Sequence, residues 1–129
     1  MDVGMEYEIL MLQLGSLARK LFNAEENLSK YQEALEKAIA NLEKENRDLE
    51  RLRNDSFSNT LLKLFGNFDR RYDKEYREII GAKVEFDKAY AMKIAAARRV
   101  KEVEADIEGK KLRLRNIKED VLRRNPDMN

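Results

Sequence analysis

Leucine recurs at every seventh position through the first half of the chain. This series is Leu14, Leu21, Leu28, Leu35, Leu42 and Leu49. A second series follows three residues behind it, and consists of Leu17, Ala24, Tyr31, Ala38, Glu45 and Leu52. Only a helix packed along another helix needs an apolar residue every 3.5 positions, because this spacing keeps one narrow stripe against the partner as the two supercoil. The pattern therefore predicts a coiled-coil helix.

The second half of the chain carries a matching stripe. One set of positions is Tyr72, Ile79, Phe86, Lys93, Val100, Ile107, Leu114 and Val121, and the other is Glu75, Ala82, Ala89, Ala96, Val103, Lys110 and Ile117. Turn-forming residues around Asp55 and Asn59 separate the two stripes, and Pro126 disfavours helix at the residue before it. We predict a first helix over about residues 6–54, a tip over 55–68 and a second helix over about 69–124.

Two long helices joined by a short connection favour an antiparallel hairpin. We therefore predict an all-α fold with a single helical-hairpin domain over residues 1–129. A register in which the numbers of facing residues add to 124 places Leu35 against Ala89 and Leu28 against Ala96, so that large side chains face small ones. The alternative register, with a sum of 117, places Tyr31 against Phe86.

Apolar side chains also lie beside the stripes. In the second helix they are Tyr76, Ile80, Tyr90, Ile94 and Ala97, and in the first helix they are Ile9, Met11, Leu12, Ala18 and Phe22. A two-helix hairpin cannot cover both sets, and contiguous exposed apolar surface is typical of association sites. We expect a homodimer that forms a four-helix bundle, with Tyr76, Ile80, Tyr90 and Ile94 at the interface.

The predicted tip is unusually apolar for the end of a coiled coil. Its sequence SFSNTLLKLFGNFD crowds six large apolar residues into a short connection. Two interpretations remain open: the segment folds back to cap the end of the bundle, or it docks into a protein partner. In the second case Phe57, Leu61, Phe65 and Phe68 are the binding candidates.

The composition argues against an enzyme. The chain has no Cys and no His, which removes thiolate catalysis, the usual general base and the commonest transition-metal ligand. A carboxylate bundle with two metal ions would need Glu-x-x-His motifs. We predict no catalytic, cofactor or metal site. We interpret Glu45 and Glu75 within the stripes either as polar residues that fix the register of the two helices or as side chains that reach out to solvent.

The charge pattern disfavours nucleic acid and membranes as partners. The net charge is +1, and basic residues of the second helix alternate with acidic ones. No apolar stretch reaches the roughly 18 residues that a membrane span needs. Acidic residues precede the first apolar run, unlike the basic start of a secretory signal. The expected location is the cytoplasm.

The run SFSNTLLKLFG, followed by DKEYREIIGAKVEFDKA at the start of the second helix, resembles a family of uncharacterised coiled-coil proteins of Gram-positive bacteria. The matching positions are Ser56, Phe57, Gly66, Lys74, Glu75, Tyr76, Ala82, Lys83, Phe86, Asp87 and Ala89. The resemblance covers about a quarter of the chain and implies a long helical hairpin with no known activity. At Glu78-Ile79 the chain departs from the Glu-Tyr spacing of that family.

Two functions are compatible with these features. The first is a non-enzymatic structural or adaptor protein that mediates protein–protein interaction through its tip or flank. The alternative is a substrate or partner of a specialised Gram-positive secretion system, whose small proteins are paired helical hairpins with an aromatic-Gly turn, similar to Phe65-Gly66 here. The longer helices and the absence of Trp argue against this alternative.

Overall fold

A computed structural model describes the backbone of residues 2–54 and 68–124, and the side chains of residues 2–51 and 74–124. It has two helices that pack against each other: α1, Val3–Asn54, and α2, Phe68–Arg124. The described part of the chain is therefore all-α and hairpin-like, as predicted. The predicted tip candidates Phe57, Leu61 and Phe65 lie outside the described residues, and so does the side chain of Phe68, the first residue of α2.

The first helix starts three residues earlier than predicted, because Asp2 caps it. The Oδ1 atom of Asp2 accepts a hydrogen bond of 2.8 Å from the backbone N–H of Met5, and the Asp2 carbonyl accepts one of 3.0 Å from the N–H of Glu6. The first N–H groups of a helix lack partners within it, and an N-terminal Asp supplies one. The predicted ends of the other helix differ from the observed ones by at most one residue.

The packing of the two helices divides into two compact units. The first joins α1 up to Leu28 with α2 from Ala95 onward, and the second contains α1 from Ser29 and α2 up to Ile94. In the first unit Leu10, Leu114 and Ile117 form a buried cluster against which Tyr7, Leu14 and Val121 pack. Val103, in the same unit, is the most completely buried large side chain among the described residues, with 1% of its surface exposed.

The heptad stripes are the buried faces of both helices. Every stripe position whose side chain is described is buried or half-buried, including Leu17 and Ala24 of α1 and Ala96 and Val100 of α2. The stripe of α1 also extends further toward the N-terminus than predicted, because Tyr7 and Leu10 continue its two series by one heptad. The side chains that hold the helices together are thus the ones that the 3.5-residue spacing selects.

The contacts within each unit agree with the register in which facing residue numbers add to 124. In the first unit Leu10 packs with Leu114, whereas a sum of 117 would place it against Ile107. In the second unit Ala89 lines a groove together with Ala34 and Ala38, the neighbours of its predicted partner Leu35.

None of the helical segments that the structure describes is long and apolar enough to cross a membrane.

Candidate functional site

The predicted interface residues of α2 lie at the surface, beside the buried stripe. The exposed fractions are 42% for Tyr76, 61% for Ile80, 50% for Tyr90 and 38% for Ile94. If Tyr72 is heptad position a, Tyr76 and Tyr90 occupy position e, and Ile80 and Ile94 occupy position b. These two positions are neighbours on the same side of the stripe, so the four residues share one side of α2. We call these four residues the α2 flank. Their exposure leaves them accessible to a partner.

The α2 flank consists of two apolar pairs separated by charge. Between Ile80 and Tyr90, the same side of the helix carries Lys83 and Asp87, whose Nζ and Oδ1 atoms form an ion pair at 2.9 Å. Both side chains are more than half exposed. The apolar surface is therefore not continuous along the helix, in contrast to the contiguous surface that the sequence predicts.

Tyr90 connects the α2 flank to the buried stripe. Its ring stacks on that of Phe86 with a centroid distance of 6.1 Å and an interplanar angle of 18°. The Nζ of Lys83 lies 4.8 Å from the centroid of the same Phe86 ring, within the range of a cation–π contact. A partner that covers Tyr90 would thus extend the apolar packing of this unit outward from Phe86.

A second exposed apolar surface lies on the N-terminal part of α1. Here Leu12 is 75% exposed and Phe22 60%, while Ile9 and Met11 are also exposed. In the same unit an open cleft of about 730 Å³ is lined by Val3, Tyr7, Ile117, Val121 and Leu122, among others. The exposed residues were predicted from the sequence, whereas the cleft was not, because the predicted stripe of α1 begins only at Leu14.

The second unit contains a cluster of carboxylates that bridges the two helices. Glu45 and Asp48 lie one turn apart on α1, and Glu75 and Glu78 lie one turn apart on α2. Carboxylate oxygens of Glu45, Asp48 and Glu75 all lie within 4.8 Å of one another. The fourth carboxyl, that of Glu78, shares a hydrogen bond with Glu45. We call these four residues the carboxylate cluster.

Glu45 is the one buried charged residue among the described side chains, with 8% of its surface exposed. The interpretation of Glu45 as a side chain that reaches out to solvent is therefore wrong. Its Oε2 atom is buried without a hydrogen-bond partner, and so is Oε2 of the half-buried Glu75. A buried carboxylate oxygen that lacks a donor is energetically unfavourable when it is charged.

The surroundings of Glu45 favour its neutral form. Burial is the largest cause that raises the pKa of Glu45, followed by the hydrogen bond to the Glu78 carboxyl and by the negative charge of Glu78. The ammonium of Lys44, 4.0 Å from Oε1 of Glu45, lowers this pKa in part. The Nζ of Lys74 lies 3.8 Å from Oε1 of Glu78. Two mostly exposed lysines thus accompany four acidic groups.

Comparison with known proteins identifies no relative. The chain matches no protein-family model, no curated protein and no solved structure. Among the described residues, the α2 flank and the carboxylate cluster are the features with the most defined geometry.

Proposed function

We propose that the protein is a non-enzymatic coiled-coil module that self-associates and serves as a structural or adaptor element in protein–protein interaction. The observation that carries this proposal is the exposure of the α2 flank. Four large apolar side chains lie on one side of α2, beside a stripe that is already packed against α1. Exposure of large apolar side chains to water is energetically unfavourable, and such residues are typical of a surface that another chain covers.

The distribution of charge supports a second copy as the partner. Residues 1–54 carry 11 acidic and 8 basic side chains, a net charge of −3, whereas residues 67–129 carry 13 acidic and 17 basic ones, a net charge of +4. The α1 surface of one copy is therefore complementary to the α2 surface of another. The net charge of +1 adds almost no general repulsion between copies.

Self-association also accounts for the interruption of the α2 flank. A dimer covers the pairs Tyr76–Ile80 and Tyr90–Ile94, while the exposed Lys83–Asp87 ion pair between them forms polar contacts that fix the register of the two copies. Charged residues at the edge of an apolar coiled-coil interface commonly determine partner choice and orientation. The resulting assembly is a four-helix bundle, in which each hairpin contributes two helices.

The test is sedimentation equilibrium of the purified chain at micromolar concentration. We expect a mass of about twice 15.2 kDa for the wild type. The double variant Tyr90→Glu with Ile94→Glu should sediment as a monomer, because it places two negative charges in the interface. Its helical content should stay close to that of the wild type, since neither position belongs to the buried stripe.

A matched control separates loss of the interface from a general effect of charge. Ala91→Glu with Ala95→Glu adds the same two charges at the same spacing on another exposed side of α2. This control should remain dimeric. A monomeric wild type would overturn the proposal, and so would a Tyr90 and Ile94 variant that dimerises as well as the control.

A further inference from the structure

We propose that the carboxylate cluster is a binding site for a hard divalent cation, with Ca²⁺ as the best fit. The cluster is independent of the α2 flank, and this proposal does not rest on self-association. The sequence has no His ligand and no contiguous loop of alternating acidic residues ending in Glu, and a metal site was not predicted for that reason. Calcium is bound in proteins by oxygen ligands alone, and these can also come from distant parts of the chain that folding brings together.

The two helices present the four carboxylates as matched rows. Glu45 with Glu78 and Asp48 with Glu75 are cross-helix pairs whose numbers have the same sum, so each turn of α1 meets one turn of α2. Because residues three apart lie on the same face of a helix, both members of each helix point toward the other helix. The result is four carboxyl groups at the corners of one small area inside a single unit.

The spacing of the oxygens fits calcium. The ligand oxygens of Glu45, Asp48 and Glu75 lie within 4.8 Å of one another. Calcium–oxygen distances are about 2.3–2.6 Å, so two ligands on opposite sides of the ion are about 4.6–5.2 Å apart. Magnesium needs about 2.0–2.1 Å and a nearly ideal octahedron, whereas calcium accepts a flexible arrangement of six to eight oxygens. Calcium therefore needs the smaller rearrangement.

Two buried oxygens of the cluster support a cation as their partner. Glu45 is more than nine-tenths buried, and its Oε2 atom has no hydrogen-bond donor. The Oε2 atom of the half-buried Glu75 is also buried and also lacks a donor. Buried polar atoms in folded proteins are almost always paired, and buried charges are paired or coordinate a metal. Lys44 and Lys74 do not fill this role, because they are mostly exposed and lie near other oxygens, Oε1 of Glu45 at 4.0 Å and Oε1 of Glu78 at 3.8 Å.

The probes are CaCl₂ and MgCl₂, added to chelator-treated protein and followed by calorimetric titration and thermal unfolding. We expect Ca²⁺ to bind with a Kd of about 10⁻⁴ M, the weaker end of protein calcium sites, because only one turn of each helix supplies ligands. At 1 mM Ca²⁺ the ratio of folded to unfolded protein should then rise about tenfold, while Mg²⁺ should have a smaller effect.

The decisive variant is Glu45→Gln with Glu75→Gln, which keeps the side-chain shapes and removes two ligand charges. It should fold, since it relieves repulsion between carboxylates, and circular dichroism checks its helicity. It should bind Ca²⁺ at least ten times more weakly than the wild type. The control Glu36→Gln with Glu85→Gln removes the same charge from exposed positions of the same two helices and should bind like the wild type.

Three results would overturn the proposal. One is a wild type that shows no heat of binding and no thermal shift with Ca²⁺. Another is a Glu45 and Glu75 variant that binds as well as the wild type. The third is equal weakening in the control variant with no preference between Ca²⁺ and Mg²⁺, which would mean diffuse attraction of counterions instead of a site.

Discussion

Arg113 of α2 binds a single oxygen of Glu6 in α1 with two of its nitrogens. Its Nε donates to Oε1 of Glu6 at 2.7 Å, and its Nη2 lies 2.7 Å from the same oxygen. The two residues are 107 positions apart in the sequence. Both flank the cluster of Leu10, Leu114 and Ile117, so this pair links the helices at the edge of the core of the first unit.

The first prediction is that this pair contributes little to stability. Arg113 is about half exposed, and water and salt weaken interactions between exposed charges. Arg113→Gln should lower the melting temperature by only a few degrees, with the difference shrinking as salt is added. Thermal unfolding at low and high salt checks this, with Arg115→Gln as a control of equal charge change. A large loss that persists at high salt would show that the pair is a major contributor.

The second prediction concerns the core of the first unit. Leu10→Ala should lower the free energy of unfolding by about 2–5 kcal/mol, because it removes buried surface and leaves a cavity beside Leu114 and Ile117. Leu12→Ala, two residues away, changes a side chain that is 75% exposed and should cost less than about 0.5 kcal/mol. Denaturant unfolding of both variants measures the difference. Equal losses would mean that Leu12 is covered in solution, for example by a second copy.

The third prediction tests the register of the second unit. Leu35 and Ala89 face each other when residue numbers add to 124, and both are half-buried. Leu35→Ala should therefore cost about 2–4 kcal/mol, and the double variant with Ala89→Leu should regain part of it by restoring volume in the same layer. This double variant is compared with a second double variant, Leu35→Ala with Ala82→Leu. If this second pair recovers more stability than the first, the facing residue is Ala82 and the sum is 117.

Most of the fold could be predicted because the heptad stripe encodes it directly. A 3.5-residue repeat has one physical explanation, the packing of helix on helix, and it selected the buried positions of both helices correctly. The start of α1 was predicted too late because the side chain of Asp2 caps the helix, a signal that apolar periodicity does not contain. Tyr7 and Leu10 continue the stripe by one heptad, but they were not predicted to belong to it because the stripe was defined by the unbroken Leu series that begins at Leu14.

The carboxylate cluster was not predicted because its members come from two distant parts of the chain. Glu45 and Glu75 were identified separately as polar residues in the stripes, without the pairing that joins them. The predicted register already implies this pairing. A sum of 124 places Glu45 opposite Ile79, which is next to Glu78. It also places Asp48 opposite Tyr76, which is next to Glu75. Burial of Glu45 could not be predicted from its own surroundings in the sequence, since long acidic side chains usually reach water from such positions.

The last prediction follows from the raised pKa of Glu45 and applies to protein kept in chelator. Folding favours the protonated form of this carboxyl, because Glu45 is buried and hydrogen-bonded to Glu78. Its contribution to stability is therefore complete below the pKa of an ordinary glutamate, and is lost as the pH rises through the higher pKa of the folded state. The nearby charges of Glu78, Asp48 and Lys44 all act on this equilibrium. Glu45→Gln mimics the protonated form and cannot ionise.

Glu45→Gln should consequently be more stable than the wild type at pH 8, and the two should converge toward pH 4. Chemical denaturation of both proteins across this range measures the difference, and Glu36→Gln, at an exposed position of the same helix, should show no such convergence. A Glu45→Gln variant that is less stable than the wild type at pH 8 would mean that the ionised carboxylate is stabilised in the folded protein. Because chelator removes any cation from the cluster, such a result would have to come from Lys44 and the other protein groups around it.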